Sequence, residues 1–214
     1  PPLGGAPDPW PRVEAALAAA PFSEAHATRE VAASLPDGAA LFLANSLPIR
    51  LFDRFVRAFE RPVPVYAQRG VNGIDGLVSG AAGLARGRGL PTAAVLGDVA
   101  FLHDLGGLAV ATTVRVPLPL IVIDNGGGRI FEELPLAKAA DDPELVALFT
   151  TPHRFELAAA ATVFGLPSVV ARDAPSLRSA LRAAWSRAGA TLVHVVVPEH
   201  GAAALEDRLR GGAE

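Results

Sequence analysis

Apolar residues gather in six short runs along the chain: Ala39–Ala44, Val63–Ala67, Thr92–Leu96, Leu118–Ile123, Ser168–Ala171 and Thr191–Val197. Their length and near-continuous hydrophobicity suit strands buried on both faces. Between and around them apolar positions recur at helical spacing. That pattern predicts helices over Trp10–Ala19, from an N-cap at Ser23 to about Ser34, and over Leu47–Phe59, Gly73–Arg86, Val99–Thr113, Phe155–Phe164, Ser176–Arg187 and Ala202–Arg210. Strands alternating with helices predict βαβ units. The expected fold class is α/β, a three-layer α/β/α arrangement around a mostly parallel, doubly wound sheet of about six strands. Ligands of such sheets bind beyond the carboxyl ends of the strands, so the residues just after each strand are the ones to read for chemistry. The longest stretch without periodicity runs from Asn125 to about Pro143 and contains three consecutive glycines. A long loop there is either functional or mobile.

Composition narrows the function classes. Half of the 214 residues are hydrophobic and 19% are charged, which excludes a disordered chain. A net charge of -3 argues against a dedicated nucleic-acid or anionic-membrane binder. There is no cysteine, hence no disulfide, no thiolate metal site and no cysteine nucleophile. No apolar run approaches the ~18 residues of a membrane span, no signal peptide is recognisable, and a cytoplasmic location fits. The expected organisation is a linker tail (Pro1–Pro7) and leading helix within residues 1–21, then one domain over 22–214. Methionine is absent and the chain opens on Pro1, so a processed or excised piece of a longer protein is expected.

Two strand ends carry the strongest chemistry. Gly97-Asp98-Val99-Ala100 follows the run Thr92–Leu96, and Asp124-Asn125-Gly126-Gly127-Gly128 follows Leu118–Ile123. One reading makes Asp98 an ordinary helix N-cap. The other lets neighbouring strand ends converge, so that a carboxylate, an amide oxygen and a glycine carbonyl meet on one hard cation. Oxygen donors suit Mg²⁺ or Ca²⁺, not Zn²⁺, and a helix opening at Asp98 offers amides to a phosphate.

Gly97-Asp98, with Asn125 twenty-seven residues after Asp98 and then Gly127, resembles the diphosphate-and-metal motif of thiamine diphosphate enzymes. Four further segments sharpen the likeness: Asn45-Ser46-Leu47-Pro48-Ile49-Arg50, Arg69-Gly70-Val71-Asn72-Gly73-Ile74-Asp75-Gly76, Phe101-Leu102-His103-Asp104-Leu105, and Gly127-Gly128-Arg129-Ile130-Phe131 followed by Leu134-Pro135. Together they resemble the 2-succinyl-5-enolpyruvyl-6-hydroxy-3-cyclohexene-1-carboxylate synthases of menaquinone biosynthesis, over roughly Phe22 to Pro198 and in their C-terminal domain only. The resemblance implies thiamine diphosphate and Mg²⁺ (with Mn²⁺ as a substitute), the metal held by Asp98, Asn125 and the Gly127 carbonyl. It implies cofactor contacts from Gly97, Asp98, Val99, Ala100, Asn125, Gly127, Gly128, Ile130 and Phe131, with Ile130 propping the bent cofactor. Core packing is the alternative for Ile130 and Phe131.

Ser46, Arg50 and Arg69 match residues lining the substrate pocket. The implied substrates, 2-oxoglutarate and isochorismate, are dicarboxylates, and arginine grips carboxylates bidentately. The alternative for either arginine is a salt bridge to Asp53 or Asp75. The implied reaction decarboxylates 2-oxoglutarate and adds the resulting carbanion to isochorismate. No catalytic side chain is expected within this segment. The activating glutamate comes from an N-terminal domain, usually of a neighbouring subunit, so the segment alone is expected to be inactive and its intact parent a homo-oligomer. Self-association through an apolar patch beside Ile130 and Phe131 is a further expectation.

Other residues carry less. His103 and Asp104 diverge by about 100° on a helix and read as structural. His26, His153, His194 and His200 lack metal spacing and read as ordinary histidines. Gly73, Gly76, Gly80 and Gly83 lack the dinucleotide order and read as packing glycines. Two departures from the family pattern stand out: Ala100 lacks a hydroxyl often found there, and Asp124 and Gly126 occupy positions usually held by asparagine. Ala100 and Asp124 keep open a non-catalytic binding relative. Another oxo-acid decarboxylase or acetolactate-synthase-like enzyme, with the same cofactor and a different substrate, is a second alternative, against which Ser46, Arg50 and Arg69 argue.

Overall fold

The computed structural model describes residues 8–70, 73–134 and 143–211. The expectations that fall on Pro1–Pro7, Val71, Asn72 and residues 135–142 lie outside the described residues.

All six predicted strands form: β1 (Ala40–Leu43), β2 (Val65–Tyr66), β3 (Thr92–Gly97), β4 (Pro117–Asp124), β5 (Ser168–Ala171) and β6 (Gly189–Val196). They make one parallel sheet in the order β2-β1-β3-β4-β6-β5. Ten helices accompany them among the described residues. These are α1 (Trp10–Ala18), α2 (Glu24–Ser34), α3 (Leu47–Phe55), α4 (Leu77–Arg88), α5 (Asp98–His103), α6 (Gly107–Ala111), α7 (Pro143–Thr150), α8 (Leu157–Val163), α9 (Ala174–Trp185) and α10 (Gly201–Gly211).

Strand alternation builds the three layers. On β4, Leu118, Leu120 and Val122 face one core with α4, α6 and α8, while Ile121 and Ile123 face the other with α2 and α9. A third cluster joins α1, α3 and α10 through Leu17, Phe55 and Leu205. The chain goes outward from β1 to β2, then returns to place β3 on the opposite side of β1. The carboxyl ends of β1 and β3 therefore flank a topological switch point, where such sheets open a crevice.

Two predicted elements are corrected. The single helix over Val99–Thr113 is broken at Asp104–Gly106 into α5 and α6. The Asp104 carboxylate accepts from the Ser79 N–H at 2.8 Å and from its hydroxyl at 3.2 Å, tying the break to the start of α4. A Cβ on Gly107 would lie 2.8 Å from the Ser79 nitrogen, so α6 approaches α4 as only glycine allows. The stretch Asn125–Pro143 is not wholly irregular either: Arg129–Glu133 forms a 3₁₀ turn. The helix α7, unassigned from sequence, begins with Pro at its first position, where the missing N–H costs nothing. No helix among the described residues is long and apolar enough to cross a membrane.

Candidate functional site

The loops after β1, β2, β3 and β4 enclose a cavity of about 400 Å³. Every residue expected to hold metal, cofactor or substrate lines it, from Ser46, Arg50 and Arg69 through Gly97–Ala100 to Asn125, Gly127, Gly128, Ile130 and Phe131. They come from four strand ends because parallel neighbours finish on one side of the sheet.

Asp98 opens α5 and is 2% exposed. Gly97, not Asp98, is the N-cap. One Asp98 oxygen accepts from the Val99 N–H and the other from the Gly127 N–H, both at 2.7 Å. Its carboxylate thus stitches the β3–α5 junction to the β4 loop. Burial pushes its pKa up to about 6, the Val99 amide opposes the rise, and neighbouring Asp124 adds to it. Asp124 behaves oppositely. Burial raises it, but hydrogen bonds from His194 and the Gly126 amide outweigh burial and hold it below the usual carboxylate range. His194 Nε2 donates to Asp124 at 2.7 Å. The extra negative charge at this position is therefore matched by a buried histidine partner on β6.

The glycine loop is shaped by close approach. Gly126 and Gly127 have φ of +79° and +149°. A Cβ on Gly127 would stand 2.6 Å from the Thr150 carbonyl oxygen. The Gly128 N–H donates to that oxygen at 2.6 Å, and the His153 N–H donates to the Gly126 carbonyl at 3.3 Å. Asn125 is buried, and its Nδ2 donates to Glu24 Oε1 at 3.0 Å. Its Oδ1 accepts no hydrogen bond among the described residues.

The β1 end supplies the polar wall. Ser46 has φ +71° and ψ −136°, a region L-residues rarely adopt and one that costs about 1–3 kcal/mol. Its carbonyl accepts from Arg50 Nη1 at 2.7 Å. Asn45 Nδ2 donates to the Gln68 and Gly73 carbonyls at 2.9 and 2.6 Å. Its Oδ1 accepts from Arg69 Nη1 at 3.4 Å. Asp75 pairs instead with His103, at 3.3 Å. Among the described residues neither Arg50 nor Arg69 has a carboxylate within salt-bridge distance, so the alternative pairing with Asp53 or Asp75 does not form. Ile130 is half-buried and belongs to none of the core clusters, and Phe131 is 39% exposed, 6.0 Å from the Phe149 ring.

Four contributors were not found from the sequence. The reading of His153 and His194 as ordinary histidines is corrected, because both meet the site's carboxylates. His153 Nε2 lies 3.2 Å from Asp98, and Asp98, Asp124 and His153 form a cluster of possible metal-binding atoms. His194 had one visible signal, a polar residue inside the apolar run Thr191–Val197. Asn45 lay within a segment singled out for resemblance but carried no assigned role. Glu24 had no signal beyond following the N-cap Ser23. His26 and His200 serve elsewhere: His26 accepts from the Ser23 N–H at 3.2 Å, and His200 meets Glu132 at 3.1 Å.

The donor set fits a hard cation beside a diphosphate. Asp98 is a buried carboxylate with no Lys or Arg paired to it among the described residues, and Asn125 offers a free amide oxygen next to it in the cavity. A Cβ on Gly97 would meet no protein atom within 4 Å, so packing does not demand this glycine and the room it leaves belongs to the cavity. Ala100 is buried at the cavity wall and supplies no hydroxyl.

The chain is similar to known proteins. Residues 54–195 match the family model of the thiamine pyrophosphate enzyme C-terminal TPP binding domain. The chain is 40% identical over 187 residues to 2-succinyl-5-enolpyruvyl-6-hydroxy-3-cyclohexene-1-carboxylate synthase of Roseiflexus castenholzii, covering 87% of this chain and 32% of that protein. It is 43% identical over 192 residues to the synthase of the same name from Sorangium cellulosum, covering 88% and 31%. The chain spans about a third of the length of these curated relatives. The fold matches the crystal structure of benzoylformate decarboxylase from Polynucleobacter necessarius, with a TM-score of 0.71 and 19% identity over 85% of this chain and 34% of that one. The chain belongs to the family of C-terminal thiamine pyrophosphate-binding domains of thiamine pyrophosphate enzymes.

Proposed function

We propose that this chain is the diphosphate- and metal-binding part of a synthase that joins 2-oxoglutarate, after decarboxylation, to isochorismate. Buried Asp98, placed against the Gly127 amide with no Lys or Arg paired to it among the described residues, carries this reading. Asp98, Asn125 Oδ1 and the Gly127 carbonyl would hold Mg²⁺. The strand-end backbone at Gly97–Ala100 and Gly127–Gly128 would cradle the diphosphate, and Ile130 and Phe131 would pack on the cofactor. Thiamine diphosphate, when bound, supplies the carbanion chemistry that side chains lack.

The chain's own residues bind and orient. Arg50 and Arg69 stand on the cavity wall without carboxylate partners among the described residues, which suits the carboxylates of an oxo acid and of isochorismate. Asn45 aims Arg69 while its amide clasps the Gln68 and Gly73 carbonyls. Arg50 is braced on the Ser46 carbonyl. The remaining catalytic group, a glutamate, would come from an N-terminal domain, with a homo-oligomer bringing the halves together.

The test uses the intact protein with Mg²⁺, thiamine diphosphate, 2-oxoglutarate and isochorismate, with product followed by mass spectrometry. The succinyl-cyclohexene product is expected, and Asp98→Ala abolishes it. Cofactor binding without that product would refute the substrate assignment. Absence of cofactor binding would refute the cofactor role.

A further inference from the structure

We infer that Glu24 is a positioning residue that sets which face of the Asn125 amide meets the metal. This deepens the proposed function and rests on its assignment of Asn125.

A side-chain amide carries an acceptor at one head and two donors at the other, and only the oxygen can ligate a cation. Something must therefore decide which head faces the cavity. An ionised carboxylate only accepts, so a carboxylate behind the amide draws in its N–H₂ and turns the oxygen outward. Glu24 is that carboxylate. It is 2% exposed, and its Oε1 accepts from Asn125 Nδ2 at 3.0 Å across 101 residues of sequence. Asn125 Oδ1, the opposite head, accepts no hydrogen bond among the described residues and is left for the cavity.

The fold holds Glu24 firmly in this role. It is the first residue of α2, whose start is locked by the reciprocal capping of Ser23 and His26. Its second oxygen, Oε2, makes no hydrogen bond of ordinary geometry and lies against the start of α10. A Cβ on Gly201 would come within 2.9 Å of it. Gly201 is thus the residue that lets α10 close over the carboxylate. Two helices distant in sequence, α2 and α10, converge on the back of one metal-facing amide.

Glutamate is placed here at a cost, since its charge is desolvated. The Glu24 and Ala202 amides, at the starts of α2 and α10, also face the carboxylate, but its hydrogen bond of ordinary geometry from a side chain is the one from Asn125. Remove the acceptor, and the Asn125 amide either leaves a buried donor without a partner or rotates and points N–H groups at the cation.

The experiment compares the intact native protein with Glu24→Leu and with Glu24→Gln. Binding of Mg²⁺ and thiamine diphosphate is read by titration calorimetry, and folding by thermal melting. Glu24→Leu lowers Mg²⁺ affinity by roughly 10- to 100-fold, the usual effect of losing a group that orients a metal ligand. Glu24→Gln keeps a carbonyl oxygen that can accept from Asn125 Nδ2. Affinity there recovers to within roughly threefold of native, a rescue by the retained acceptor that a purely structural role of Glu24 would not give. A folded Glu24→Leu that binds Mg²⁺ like native overturns the inference, as does a folded Glu24→Gln that binds no better than a folded Glu24→Leu. If one variant fails to fold, the other decides. Failure of both to fold overturns it by making Glu24 a residue of the fold alone. A native protein that does not bind the cofactor and metal removes the proposed function itself, an outcome distinct from those of the variants.

Discussion

Substituting Gly127 by alanine strikes the loop at its tightest point. The backbone there has φ +149°, and an added Cβ would sit 2.6 Å from the Thr150 carbonyl oxygen and 3.3 Å from Pro152 Cα. Both neighbours are backbone, so no flexible side chain can swing away. The unfavourable φ costs about 1–3 kcal/mol, and forcing a methyl into occupied space about 1–3 kcal/mol more. At roughly 2–4 °C per kcal/mol for a domain of this size, the melting midpoint falls by about 5–20 °C if the loop stays in place. The loop can instead withdraw from Thr150. It then loses the Gly128 N–H bond to that carbonyl and the Gly127 N–H bond to Asp98, and the cost appears as weakened metal and cofactor binding. Gly126→Ala is the control. Its φ of +79° is also unfavourable, yet its Cβ meets only the ends of Arg129 and Glu199 at 3.6 Å or more. It should cost only about 1–2 kcal/mol. Circular-dichroism melting of both variants, with titration of Mg²⁺ and thiamine diphosphate, reads both effects. Gly127→Ala melting within ~1 °C of native with unchanged affinity, or costing no more than Gly126→Ala, refutes the reasoning.

Other perturbations test the electrostatics. Asp98 titrates near 6 without metal, raised from its ordinary 3.8, so its contribution to stability is full below the lower value and is lost as pH rises through about 6. Asp98→Asn should therefore flatten the fall in metal-free melting temperature between about pH 4 and 7 while abolishing Mg²⁺ binding. Native Mg²⁺ affinity should rise with pH up to about 6, because the cation must displace the Asp98 proton, and a flat profile would argue against Asp98 as ligand. Arg50→Ala should raise the KM for the oxo acid by roughly 10- to 100-fold with cofactor affinity unchanged, as expected for the loss of a charge-assisted bond. His194→Leu takes one hydrogen-bond donor from Asp124, which keeps the Gly126 N–H, and should cost about 1–3 kcal/mol of stability, visible as a lower melting midpoint.

The six strands were legible because each is a buried apolar run, and burial on both faces writes itself as continuous hydrophobicity. Boundaries set by tertiary contacts were not. The α5–α6 break depends on Asp104 meeting Ser79, 25 residues away, and no local pattern announces that. The convergence of Asp98 and Asn125 on one cavity was foreseeable from β3 and β4 being parallel neighbours. Resemblance brought in Ser46, Arg50 and Arg69, which no spacing rule would have joined. Glu24, His153 and His194 escaped because each meets its partner across 55 to 101 residues of sequence. A single histidine or glutamate looks the same in sequence whether it faces water or a buried carboxylate.

Departures from ordinary folding rules gather around one cavity. Ser46 takes a strained backbone, Gly127 leaves no room for a methyl, Asp98 is a buried carboxylate with no Lys or Arg paired to it among the described residues, and Oε2 of buried Glu24 makes no hydrogen bond of ordinary geometry among them. Each costs stability, and none improves packing. Elsewhere the sheet obeys the rules, with apolar side chains alternating between its two faces. A protein selected for stability alone would keep none of these features in one place. Together they hold two oxygen donors and a glycine loop at fixed positions before any ligand arrives. A divalent cation held as proposed would offset the largest of these costs directly, by neutralising Asp98 and occupying Asn125 Oδ1. The same cation should then raise the melting temperature more steeply above pH 6, where Asp98 is charged, than below pH 5, where its proton competes. Equal stabilisation by Mg²⁺ at both pH values would mean that the cation binds somewhere else.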